Sequence, residues 1–238
     1  MNGGALRTGM GDAEAVGAGT AVERAPHAPT EGVIPLPERL RTATRAAHER
    51  LERITGLPGS IRTPADLRST LEGLFGFHLA AEAAGASDVL AGFGDELARP
   101  PSPSAWLADD LATLGATPEE IAALPSCTAL GPLRTVAARL GCAYVVEGST
   151  LGGRVIHAHL SRPEGLAGAF RTPPLRFFAG HGAGTARRWK AFARALDARE
   201  RPPSDDAETI AAAQETFRVL GDWFEARARA ERPRRRCA

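Results

Sequence analysis

The amino-acid sequence predicts an all-α protein, and three observations carry that prediction. Apolar residues recur at helical spacing over most of the chain, whereas no stretch sustains the period-two alternation of Val, Ile and Tyr that marks strands. Aromatic residues are only 5% of the chain while alanine is abundant, a composition that suits close helix packing. Helix start and stop signals punctuate the sequence from Pro37 onward.

The elements follow in order. Residues 1–32 are rich in Gly, Ala, Thr and Pro with little periodic hydrophobicity, and are expected to form a disordered arm. A single domain over 33–231 follows, then a basic, flexible tail at 232–238, R-P-R-R-R-C-A. Pro37 suits the N1 position of a first helix and Gly56 its C′ position. Thr63-Pro64 opens a second helix running to about Gly85, and the prolines of 98–104 force a loop. A shorter helix spans Ser104 to Leu114. In T-P-E-E, Thr117 is the N-cap and Glu120 the N3 partner of a capping box. P-S-C-T at 125–128 breaks the chain before a long apolar segment from about Pro132 to Leu160. Thr185 caps T-A-R-R-W-K-A-F-A-R-A-L-D, and Ser204 caps a last helix. The first turn of that helix carries Asp205, Asp206 and Glu208, matching the positive end of the helix dipole.

Composition excludes several classes of function. A chain of 238 residues can bury one sizeable core. Its formal charge of +1 gives no global attraction to nucleic acid. Cys127, Cys142 and Cys237 are too widely spaced for a zinc site or a disulfide framework. No run of ~18 apolar residues predicts a membrane span. The N-terminus lacks a secretory apolar region, so a soluble, cytoplasmic protein is expected.

Two features point to chemistry. The first helix places Leu40, Ala43, Thr44, Ala47, Leu51 and Ile54 on one face, with His48 among them. An imidazole there reads either as a core group bonded to a carbonyl or as a ligand to a metal or haem iron. The other histidines compete poorly: His157 and His159, two apart on a helix, point ~200° away from each other. His78 lies in an apolar segment that suits packing, His181 in a Gly-rich loop and His27 in the arm.

The second feature is Y-V-V-E-G-S-T-L-G-G-R-V-I, Tyr144 to Ile156. Each glycine inside a helix costs ~1 kcal/mol relative to alanine, and Gly148, Gly152 and Gly153 fall within six residues. A face without Cβ atoms allows tight helix packing, a bend, or the close approach of a flat ligand. Ser149 and Thr150 add hydroxyls that can bond back to the helix and bend it, or hold water.

L-R-T-A-T-R-A-A-H-E-R-L-E together with this glycine motif resembles the haem oxygenase family, and most closely its bacterial, phytochrome-associated, biliverdin-producing branch. L-R-F-F-A-G-H-G-A-G-T-A-R-R-W-K-A-F resembles that branch too, with His181 where a tyrosine is expected. The resemblance implies an all-α bundle holding haem between a proximal helix and a kinked distal helix. It implies His48 as the iron ligand, with Gly148, Ser149, Gly152 and Gly153 as the distal catalytic surface and Thr150 beside it. Arg41, Lys190 and Arg194 match positions that contact the haem propionates. Ser149 is a departure: many members carry an aspartate there, ordering a water network.

The implied reaction opens haem to biliverdin with release of iron and CO. No dinucleotide fingerprint is present, so electrons would come from ferredoxin or a flavoprotein reductase. The product would supply a phytochrome chromophore, or the released iron would be recovered. Two other readings stay open: a haem-binding or transfer protein that does not degrade haem, favoured by Ser149, and a non-haem di-iron or cofactor-free enzyme of the same fold.

Overall fold

A computed structural model of the chain describes residues 34–94, 97, 102–162, 166, 175–198 and 202–236. The arm expected at 1–32, His27, Cys237 and most of the proline loop at 98–104 lie outside the described residues. The helices are α1 (Leu36–Thr55), α2 (Pro64–Ala83), α3 (Pro103–Thr113), α4 (Pro118–Ala122), α5 (Val136–Leu160), α6 (Arg176–Ala179), α7 (Thr185–Ala198) and α8 (Pro203–Arg236), with a 3₁₀ turn over Asp88–Phe93. No strand occurs among the described residues, so the all-α class holds.

Local chemistry sets the helix ends. Thr63 accepts from the Asp66 N–H at 3.1 Å while Asp66 accepts from the Thr63 N–H at 3.0 Å, starting α2. Thr117 and Glu120 exchange the same pair of bonds at 3.2 and 3.1 Å, the capping box expected for α4. Gly56 ends α1 with φ 62°, a left-handed conformation that favours glycine.

Several expected starts differ. Thr135, not Pro132, begins α5, because its hydroxyl accepts the Ala138 N–H at 3.0 Å. Ser102 caps α3, and Ser104 lies inside the first turn with its N–H and hydroxyl both donated to Glu82. Thr185 donates to the Gly182 carbonyl at 3.0 Å and is itself the first residue of α7. Pro203 takes the first position of α8, which puts Ser204 inside the helix rather than at its cap. That helix carries on to Arg236. Extending a formed helix is far easier than nucleating one, and arginines suit its C-terminal end.

α5 is the central element and contributes to all three apolar clusters. Leu160 packs with Leu67, Leu71, Trp106 and Phe178. Leu140, Ala143, Tyr144 and Val145 pack with Leu40 of α1, Phe192 of α7 and Phe217 of α8. Cys142 and Val146 join Phe77 of α2 and Leu220 of α8. Burying a leucine or valine side chain stabilises by ~1.5–3 kcal/mol, so these contacts outweigh the ~1 kcal/mol lost at each helical glycine. Gly141 is one such residue and has its own reason. A Cβ there would meet the Thr209 carbonyl oxygen and stand 2.8 Å from the Ala213 nitrogen, so α5 and α8 approach backbone to backbone. No helix among the described residues is long and apolar enough to cross a membrane.

Candidate functional site

The three glycines of α5 occupy three different environments. Gly152 is exposed, and a Cβ there would meet nothing within 4 Å. Gly148 lies beneath the Trp189 indole of α7, whose Cζ3 and Cη2 would be 3.6 and 3.7 Å from its Cβ. Gly153 turns away from both: it is buried, and a Cβ would stand 3.1 Å from the Phe178 carbonyl oxygen of α6. Gly153 therefore serves the close approach of α5 and α6. Being next to Gly152, it is rotated by one helical step and takes a different neighbour.

Between Gly148 and Gly152 the hydroxyls bond backward. Ser149 Oγ donates to the Val146 carbonyl and Thr150 Oγ1 to the Glu147 carbonyl, each at 2.7 Å. Such bonds compete with the regular helical ladder and favour a bend. The turn thus combines backward-bonded hydroxyls with an open backbone at Gly152.

The candidate iron ligand lies on α1. Its buried stripe is Leu36, Leu40 and Thr44, and His48 lies on the rim of that stripe rather than within it. The His48 side chain is 55% exposed, with Nδ1 3.5 Å from Glu52 Oε1, and its ring meets Phe217 edge-on at 5.6 Å. Tyr144 of α5 packs in one apolar cluster with Leu40 of α1. Burial pushes the Tyr144 hydroxyl pKa up, with Thr44 and the charge of Arg41 opposing. One turn beyond Thr44 on α1 comes His48; one turn beyond Tyr144 on α5 comes Gly148. The Tyr144 ring also lies 5.6 Å from Trp189, so α1, α5 and α7 converge there.

The cations lie around these helices. Lys190 and Arg194 are exposed on α7 at i, i+4 spacing, and Arg41 is exposed on α1, 3.8 Å from Glu38. Of the remaining histidines, His78 is buried between Phe77 and Phe177 at ring distances of 5.4 and 5.0 Å, in the packing role its segment suggests. His181 packs edge-on to Trp106 at 5.2 Å. A cavity of about 210 Å³ lined by Ile54, Leu57, Phe224 and Arg227 lies at the C-terminal end of α1 and includes none of the candidate residues.

Sequence reasoning missed four residues beside these glycines. Glu147 and Arg188 form a buried bidentate ion pair between α5 and α7. A glutamate inside Y-V-V-E-G was a signal, because a charge in an apolar run needs a partner, but its partner's position is not readable from spacing. Trp189 stood in the α7 segment without an assigned role. Tyr144, the single tyrosine of the chain, stood in the glycine motif without an assigned role.

Comparisons with known proteins agree with the fold. The Heme oxygenase family profile matches residues 34–226. A heme oxygenase from Neisseria meningitidis, described in NO- and CO-bound crystal structures, superposes with a TM-score of 0.64 at 22% identity, covering 81% of this chain and 94% of that one. The heme oxygenase from Leptospira interrogans gives a TM-score of 0.63 at 16% identity, over 80% and 98% of the two chains. No curated protein matches the sequence significantly. With most of its length matched by that profile, the chain belongs to the haem oxygenase family.

Proposed function

We propose that the protein opens haem to biliverdin, releasing ferrous iron and CO, with O₂ and an external electron donor as co-reactants. The observation that carries this reading is the packing of α1 and α5 in one apolar cluster through Leu40 and Tyr144, with an accessible imidazole at His48 on one helix and bare backbone at Gly152 on the other. His48 suits iron. Its Nδ1 side is turned toward Glu52, which leaves Nε2 as the ligand and a carboxylate to orient the ring. Haem held by His48 would supply an iron that can activate O₂.

Each remaining residue has a role in this reading. Gly152 admits a flat ring system against backbone, and the Trp189 indole edge beside Gly148 bounds that surface. Arg41, Lys190 and Arg194 neutralise the propionates. Ser149 and Thr150 have their protons engaged by backbone carbonyls, so their oxygens serve as acceptors that order water. Proton delivery therefore runs through water rather than through a carboxylic acid at position 149. Ferredoxin or a flavoprotein reductase would supply electrons in the cytoplasm, and a phytochrome could receive the product.

The same two hydroxyl bonds favour a second reading, in which haem is held or transferred intact because no acid stands beside the glycines. One experiment separates the two. Purified protein is loaded with haem, given ascorbate or reduced ferredoxin in air, and its product identified by absorption and mass. Loss of the Soret band with formation of biliverdin supports the oxygenase; a persistent Soret band without biliverdin supports the binding protein.

A further inference from the structure

Glu147 and Arg188 stand where α5 meets α7. Their side chains are 6% and 8% exposed, and the guanidinium grips the carboxylate with both prongs, Nε to Oε2 and Nη2 to Oε1, each at 2.9 Å. Removing two charges from water offsets most of their attraction, so such a pair is weak evidence for stability as such. Its planar fork does fix direction, because a bidentate contact allows little sliding or rotation of one partner against the other.

The next residue on each helix is Gly148 on α5 and Trp189 on α7. These two touch as well, through the indole edge at 3.6 and 3.7 Å from the position of a Gly148 Cβ. A glycine offers nothing that would stop an indole from slipping. The other ring contacts of Trp189, to Tyr144 at 5.6 Å and Phe192 at 5.9 Å, are tilted and permissive. The directional restraint beside Trp189 is therefore the ion pair one residue away.

We infer that Glu147 and Arg188 are positioning residues whose ion pair holds the Trp189 indole over the bare backbone at Gly148. Trp189 then bounds the glycine surface on that side and limits which edge of a bound porphyrin lies there. The isomer of biliverdin formed depends on that limit. Only this last step rests on the function proposed above.

The test uses full-length protein labelled with 5-fluorotryptophan, which has three labelled sites, Trp106, Trp189 and Trp223. Trp189→Phe identifies the Trp189 fluorine resonance. In haem-free protein, Glu147→Gln and Arg188→Lys should each shift or broaden that resonance more than the other two. In haem-loaded protein, Glu147→Gln and Trp189→Phe should change the ratio of biliverdin isomers in the same direction. An unmoved Trp189 resonance in both variants overturns the positioning role. An isomer ratio unchanged in Trp189→Phe overturns the limit on the porphyrin. If wild type makes no biliverdin, the proposed function fails while the fluorine comparison still judges the ion pair. If Glu147→Gln does not fold, Arg188→Lys, which keeps the charge but not the fork, decides alone.

Discussion

Gly153 of α5 lies directly against the backbone of Phe178, with only 3.1 Å between its would-be Cβ and the Phe178 carbonyl oxygen. Helix α6 cannot easily yield, because Asp110 holds its first turn by accepting the N–H groups of Arg176 and Phe177 at 2.8 and 2.9 Å. Gly153→Ala should therefore destabilise the protein by ~1–3 kcal/mol despite the better helix propensity of alanine. A thermal or urea unfolding curve checks it, and an unchanged midpoint would show that α6 gives way.

Gly152 is the control for that experiment, since open space surrounds it. Gly152→Ala should stabilise the haem-free protein by up to ~1 kcal/mol while weakening haem binding or turnover. Opposite signs in the two assays would identify a glycine kept for its ligand rather than for folding. Haem affinity unaffected even by Gly152→Leu would remove this residue from the site.

Gly141 marks the closest approach of α5 and α8. Its Cβ would stand 2.7 Å from the Ala212 side chain and 2.8 Å from the Ala213 nitrogen. Gly141→Ala should cost ~1–3 kcal/mol or more, as overpacking does, seen as a lower unfolding midpoint in urea.

Asp110 is buried and its carboxyl pKa is raised by that burial, with the two backbone N–H groups opposing. Hydrogen bonds to a charged group are worth ~1.5–3 kcal/mol each. Asp110→Ala should accordingly loosen α6, lowering stability and raising hydrogen exchange at the Arg176 and Phe177 amides.

His78 has no partner for Nδ1 and is fully buried, which lowers its pKa to about 4. The unfolded chain protonates His78 near its ordinary value of 6.5, so between those two values the unfolded state binds more protons. Stability should then fall as pH drops from about 6.5 to about 4, by up to roughly 3 kcal/mol from this residue. Urea unfolding across that range should show a shallower loss for His78→Phe than for wild type; parallel curves would contradict the assignment.

How far the sequence reaches is clearest in particular residues. The capping boxes at Thr63 and Thr117 and the glycine stop at Gly56 depend on neighbours three or four positions away, and all three were readable as helix ends. Ser102, Pro203 and Thr185 were harder, because adjacent residues of similar type compete for the same position. At the site, the motif containing His48 and the α5 glycines was recognisable, but the split among those glycines was not. Gly148, Gly152 and Gly153 differ in what packs against them, which is decided by α6 and α7. The Glu147–Arg188 pair, spanning 41 positions, is a tertiary fact of the same kind. His48 looked like part of an apolar face because spacing reports direction around a helix and not how far the neighbouring helices extend.

The central claim is that His48 holds the iron of a haem which the protein then opens. The most direct measurement is single turnover of the reconstituted complex in air with ascorbate, comparing wild type, His48→Ala, and His48→Ala supplied with free imidazole. Biliverdin should form in wild type, fail to form in His48→Ala, and reappear when imidazole replaces the missing ligand. Normal turnover and an unaltered ferric haem spectrum in His48→Ala without imidazole would contradict the account.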